Sequence, residues 1–165
     1  MPETLKGSCR CGAVHFTVES HTPVPYQLCY CSICRKQQGG GGYAINLGAD
    51  ARTLEIEGEE HLGLFRAEIE DDEHNTCEVS SGERRFCKEC GSAMWLYDPS
   101  WPDLVHPFAS AIDSDLPEPP AKTHLMLKYK ASWVEPDVED GDLTFELYPK
   151  ESIEDWHKRH GLWVE

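Results

Sequence analysis

Cys9-Arg10-Cys11-Gly12, Cys29-Tyr30-Cys31-Ser32-Ile33-Cys34 and Cys87-Lys88-Glu89-Cys90-Gly91 are the stretches on which the reading of this chain turns. They hold all but one of its 8 cysteines, the other being Cys77. A tetrahedral metal site needs its sulfurs about 4 Å from one another and about 2.3 Å from the ion. Cysteines one or two residues apart supply two such sulfurs from a single turn of chain. Two pairs close one site, and the remaining triplet has the ligand number of a zinc with one position open to water or substrate. The rival reading is a disulfide framework in a secreted domain, which an even cysteine count permits. Neighbours one residue apart meet disulfide geometry only with strain. Met1 to Ser20 also lacks the apolar run of a signal peptide, so metal is the stronger reading.

At 165 residues the chain fits a single domain, 1–165, with room for a core. It carries 30 acidic against 15 basic side chains, a formal charge of −15. Thiolates bound to zinc make it more negative still. Such a field repels phosphate backbones, so nucleic acid is not an expected partner, and an anionic substrate needs a local basic pocket. No stretch approaches a membrane span, so no membrane partner is expected. Reduced thiols point to the cytoplasm. The oligomeric state stays open.

Period-two alternation recurs at Val14, Phe16 and Val18, at Leu54 and Ile56, at Leu125, Leu127 and Tyr129, and at Leu143, Phe145 and Leu147. Leu62 to Ile69 is a further apolar stretch. Short alternating segments between turn residues predict an all-β, mainly antiparallel architecture. The best helix runs from Ser152 to Arg159. Ser152 and Asp155 resemble a capping box, Gly161 ends the helix, and Ile153 and Trp156 face the core. A short helical turn after Cys31, through Arg35 and Gln37, is the weaker candidate. Asp98 to Pro120 reads as loop broken by a short strand near Phe108 to Ile112. There Trp101 and Phe108 either cover a pocket or, the blander reading, pack on the core. Glu135 to Asp142 reads as a solvated acidic turn.

Gly12 and Gly91 each follow a cysteine where the chain must turn sharply, and glycine tolerates the positive φ that such turns need. Two turns of this kind facing each other make a closed site from Cys9, Cys11, Cys87 and Cys90, which is structural and ties the N-terminus to the middle of the chain. The triplet Cys29, Cys31 and Cys34 is followed instead by Arg35 and Lys36, cations suited to an anionic ligand. The run Gly39 to Gly42 comes next, with Gly40 and Gly41 as candidate ligand contacts or, equally, a flexible turn. Cys77 is expected to be a buried inert thiol. No histidine has clear ligand spacing; His74, before Cys77 in a polar loop, is the least implausible, and each is otherwise surface or satisfied core.

The order Gly7-Ser8-Cys9-Arg10-Cys11-Gly12, Cys29-x-Cys31-Ser32-x-Cys34-Arg35-Lys36 and Arg85-Phe86-Cys87-x-x-Cys90-Gly91-Ser92 resembles the glutathione-dependent formaldehyde-activating enzyme family, which also includes centromere protein V. Ala111-Ile112-Asp113 and Lys130-Ala131-Ser132-Trp133 are similar to the family's C-terminal half, so the resemblance runs from about Leu5 to Trp133. It implies a tent-like, Mss4-like zinc-binding fold. It also implies a structural zinc at Cys9, Cys11, Cys87 and Cys90 and a second zinc at Cys29, Cys31 and Cys34. In the family the second site is associated with condensing glutathione and formaldehyde to S-hydroxymethylglutathione, the chemistry of a carbon–sulfur lyase. The acidic stretch Glu68 to Glu73 and the glycine run depart from the family pattern.

Three functions follow as expectations. The first is an enzyme in which a glutathione-like thiol, activated at the open zinc, adds to an aldehyde while Arg35 and Lys36 pair with its carboxylates. His74 or a metal-bound water is the candidate for proton transfer. The second is a carrier that binds the thiol or its conjugate without accelerating anything. The third is a zinc-stabilised module whose acidic surface meets a basic protein.

Overall fold

The computed structural model of the chain describes residues 1–38, 40–71 and 73–165. Gly39 of the glycine run and Asp72 of the acidic stretch lie outside the described residues. The first elements are the hairpin β1 (Glu3–Ser8) and β2 (His15–Ser20), with Leu5 opposite Val18 and Gly7 opposite Phe16. The Phe16 ring lies directly over Gly7, where a Cβ would fall 2.4 Å from it, so only glycine fits beside the first cysteine turn. β3 (Gln27–Cys29) leads through Tyr30 and Cys31 into α1 (Ser32–Gln38), and β4 (Ala44–Ile45) returns antiparallel to β3. β5 (Ala49–Asp50), β6 (Glu55–Glu57) and β7 (Leu62–Phe65) follow. After them come the hairpin β8 (Glu68–Asp71) and β9 (Thr76–Val79), then β10 (Glu83–Cys87), β11 (Ala93–Tyr97) and β12 (Leu104–Pro107). β13 (Thr123–Leu125), β14 (Leu143–Thr144) and α2 (Ile153–Arg159) complete the chain.

Among the described residues these strands make a sheet β1-β2-β6, a sheet β5-β12-β11-β10-β7, a sheet β14-β13-β3-β4, and the separate pair β8-β9. Pairing is antiparallel except where β13 lies parallel to both β3 and β14. The expected all-β, mainly antiparallel architecture with a short C-terminal helix is therefore what the chain forms.

Leu5, Val14, Phe16, Val18, Leu47, Met94, Trp95 and Val105 fill the main core between the first two sheets, together with Cys9 and Cys87. Phe16 meets Trp95 edge to face at 5.1 Å. α2 is capped by Ser152 Oγ, which accepts from the Asp155 N–H at 3.0 Å. The helix buries Trp156, stacked on Tyr26 at 3.7 Å, against a smaller cluster with Ile153 beside it.

Several expectations need correction. β13 stops at Leu125: Met126 takes a left-handed φ of 60°, and Leu127–Tyr129 is a 3-10 turn. There the N–H groups of Met126, Leu127 and Lys128 bond to the carbonyls of Leu147, Phe145 and Glu146, so the alternation continues as a paired turn and not as strand. The strand expected near Phe108 to Ile112 is β12, ending at Pro107, and Ala109–Ala111 is a 3-10 turn. Phe108 is buried, whereas Trp101 is exposed.

Candidate metal centres

Both hairpin turns rich in cysteine reach the same place. In the β1–β2 turn the Cys9 N–H bonds to the Val14 carbonyl, and Gly12, at φ 81°, donates its N–H to the Cys9 carbonyl. In the β10–β11 turn the Cys87 N–H bonds to the Ser92 carbonyl, and Gly91, at φ 80°, donates to the Cys87 carbonyl. The sulfurs of Cys9, Cys11, Cys87 and Cys90 all lie within 4.8 Å of one another. Cys9 Sγ is 3.6 Å from Cys11 Sγ, which is 3.8 Å from Cys87 Sγ. A tetrahedron with metal–sulfur bonds of about 2.3 Å has edges of about 3.8 Å, so this donor set fits one ion. The thiols are free, and the separations exclude a disulfide. Ser92 Oγ, 3.2 Å from Cys90 Sγ, leads the contacts that draw the Cys90 thiol down to about 5.

The second group, Cys29, Cys31 and Cys34, is assembled where β3 runs into α1, again with its sulfurs within 4.8 Å of one another. It includes no histidine or carboxylate among the described residues. Cys29 and Cys34 are buried and Cys31 is half-buried, on a floor of Ala44, Leu125 and Met126. The Cys34 N–H points at Cys31 Sγ, 3.3 Å away. Contacts with Cys29 and then Cys34 draw the Cys31 thiol down to about 2, and the same crowding pushes Cys29 up.

Arg84, on β10, supplies an independent observation. Its side chain is 8 % exposed, its Nη2 lies 3.8 Å from Cys34 Sγ, and its buried Nη1 has no hydrogen-bond partner among the described residues. No carboxylate among the described residues pairs with it, although Glu83 and Arg85 beside it pair with each other. A buried, unpaired cation costs several kcal/mol. Three thiolates around a divalent ion leave one negative charge in contact with this guanidinium, so the donor set and its surroundings both fit a metal.

The residues expected to bind substrate are not gathered in one place. Arg35 and Lys36 are on α1 just after Cys34, Arg35 half-buried with its Nε enclosed and Lys36 exposed. Gly40 and Gly41 form an exposed turn. It is Gly42 that the packing requires: at φ 87°, a Cβ there would fall 2.3 Å from Val134 Cγ2. The C-terminal end of α1 instead opens a cleft of about 500 Å³ toward the first centre, with Gln37, Gln38, Arg10, Ser92, Ser110 and Asp113 on its walls.

Cys77 is exposed, contrary to the expected burial, because its hairpin presents residues 73–79 to solvent and so offers no buried face. His74 occupies the exposed turn of the same hairpin and belongs to neither sulfur group. His106 and His157 are satisfied core histidines, their Nδ1 atoms bonded to the carbonyls of Leu47 and Ile153. Sequence reasoning missed Arg84 altogether. It also missed a buried chain from Asp142 through His124 to Tyr30, although Tyr30 lies between two candidate ligands. Asp142 belongs to the stretch that reads as a solvated acidic turn, yet its side chain is 1 % exposed.

Fold and site together define a mainly antiparallel β protein with one four-sulfur and one three-sulfur group, each of which could hold a metal ion. The model of the family described as "Glutathione-dependent formaldehyde-activating enzyme" matches residues 4–126. A Halomonas elongata protein provisionally named as such an enzyme is 57 % identical over 158 residues, covering 96 % of this chain and 97 % of its own. The chain belongs to this family. A crystal structure of a Rhodobacter sphaeroides protein also aligns, at 22 % identity and a TM-score of 0.48, over 85 % of this chain and 98 % of that one. No helix among the described residues is long and apolar enough to cross a membrane.

Proposed function

We propose that the protein is a zinc-dependent carbon–sulfur lyase that joins a glutathione-like thiol to formaldehyde, and reverses that step, at the Cys29, Cys31 and Cys34 centre. The observation that carries this reading is a triplet of sulfurs, with no fourth protein donor among the described residues, beside a buried guanidinium that needs an anion. Cys9, Cys11, Cys87 and Cys90 hold the structural zinc, and Cys29, Cys31 and Cys34 the second. Zinc at the second centre supplies a cation that favours the thiolate form of an incoming thiol.

The remaining roles fall to the chain. The thiol sulfur forms a bond to the carbonyl carbon, the carbon–oxygen π pair moves to oxygen, and that oxygen takes up the proton the thiol gave up. Arg84 offsets the charge of the thiolates and, by hydrogen bonding to Cys34, makes that sulfur a poorer nucleophile than the substrate's. Burial of Cys29 and Cys34 shields those two sulfurs from the aldehyde. Arg35 and Lys36 offer charge to the carboxylates of the thiol, and the cleft beyond Gln37 and Gln38 has the polar walls that suit a peptide-like thiol.

Cys31→Ser tests this. Formation of S-hydroxymethylglutathione from glutathione and formaldehyde is followed by NMR exchange at catalytic protein concentration. The wild type is expected to exceed the buffer rate, and Cys31→Ser to fall to it with its thermal midpoint nearly unchanged. Saturable glutathione binding with no rate above buffer in the wild type makes the protein a carrier instead.

A further inference from the structure

Tyr30 sits between two sulfur ligands, just after β3, and packs away from them. Cys29 and Cys31 belong to the cluster with Cys34, Ala44 and Leu125, whereas Tyr30 packs on the other side with Leu28, Ala131 and Val134. Its ring is 1 % exposed. An anchor on that phenol restrains the backbone on which both flanking sulfurs are carried.

What holds the phenol is a chain of hydrogen bonds from the residue after β3, through β13, to the residue before β14. Tyr30 Oη lies 2.9 Å from His124 Nδ1, and His124 Nε2 lies 3.0 Å from Asp142 Oδ2. The ionised carboxylate only accepts, so Nε2 carries the proton and Nδ1 accepts from the phenol. Asp142 is held in turn by the backbone N–H groups of Lys122, at 2.8 Å, and Glu139, at 3.1 Å. These bonds outweigh burial and keep its carboxyl below the ordinary value. The tail that follows Asp142 stays attached to the same strand and its turn, with Phe145 N–H on the His124 carbonyl and Met126 N–H on the Leu147 carbonyl. It ends at Tyr148, whose phenol is raised by desolvation and then by the charge of Cys31, Cys29 and Cys34. One set of bonds thus reaches both the metal loop and, through Met126, the segment that ends at Tyr148.

We propose that Asp142, His124 and Tyr30 are positioning residues of the second centre: the chain sets the orientation of Cys29 and Cys31 and fixes the 142–148 tail beside them. This rests on the metal reading of that triplet, but not on the substrate or on turnover. It also explains why a histidine and an aspartate sit fully enclosed next to a metal loop without joining the ligand set. Outer groups that orient metal ligands typically change affinity by about 10- to 100-fold when removed.

The test uses full-length protein with zinc in the four-sulfur centre and Co²⁺ titrated into the second against a competing chelator. Tyr30→Phe keeps the ring and removes only the hydroxyl; Asp142→Asn keeps the size and removes the charge. Each is expected to weaken Co²⁺ binding about 10-fold or more and to alter the visible cobalt–thiolate bands, while zinc in the first centre is retained. Tyr26→Phe, on the equally buried tyrosine stacked against Trp156, is expected to leave affinity and bands unchanged. The proposal is overturned if Tyr30→Phe and Asp142→Asn bind Co²⁺ with wild-type affinity and spectrum, or if Tyr26→Phe weakens it as much. A wild type that takes up no second ion overturns the metal reading and this proposal together. A second ion bound normally without turnover leaves this proposal standing while the lyase reading fails.

Discussion

The two sulfur groups are built from opposite kinds of nearness. The four-sulfur group joins residues 76 apart, Cys11 and Cys87, so it forms only when the β1–β2 and β10–β11 hairpins are brought together. The three-sulfur group comes from one short segment where β3 meets α1, and most of its geometry is local. An ion in the first therefore holds tertiary structure, and its binding energy is folding energy. An ion in the second holds a loop that neighbouring packing already shapes. The second is accordingly free to keep a coordination position for something other than protein.

Removing a ligand on each side is the sharpest way to break this comparison. Cys87→Ser is expected to have the largest effect. The residue is fully buried in the main core, and structural zinc sites are worth on the order of 10 kcal/mol, so the variant should lose its cooperative thermal transition. The expected contrast is Cys31→Ser, which melts within a few degrees of wild type. A Cys87→Ser variant that melts normally would make the two groups equivalent.

Arg84→Gln sharpens the comparison from the other end of β10, since that strand carries Arg84 to the second group and Cys87 to the first. It is expected to weaken the second ion about 10- to 100-fold in chelator competition and to leave the first in place. Equal loss of both ions would mean that Arg84 merely supports the strand. The smallest effect is expected at Gly42→Ala. Its new methyl meets Val134 at a positive φ, and the strain should lower stability by about 1–3 kcal/mol in urea denaturation without changing the metal count.

What could be read from the sequence divides along the same line. The pairs Cys9 and Cys11, Cys87 and Cys90, and the triplet at 29–34 announce themselves because ligand spacing is a local property. The mainly antiparallel strands and the Ser152 cap are legible for the same reason. Arg84 is not, since a basic residue between Glu83 and Arg85 looks like any solvated strand until Cys34 is placed opposite it. Asp142 is hidden in an acidic turn, and only the parallel pairing of β13 with β14 brings it under His124. Cys77 misled in the other direction: alternation marks a buried face only where another layer covers it, and nothing among the described residues covers that face of the β8–β9 hairpin.

The four-sulfur group also has a dry side and a wet side. Cys9 and Cys87 are enclosed by the core, while Cys11 and Cys90 face water. Oxidants and competing soft ions therefore meet the outer pair first, and a thiol as acidic as that of Cys90 is the readier to react once its ion is gone. Damage would start at the rim and release the ion that clasps the two hairpins. Loss of the fold under oxidative stress would then precede any injury to the core.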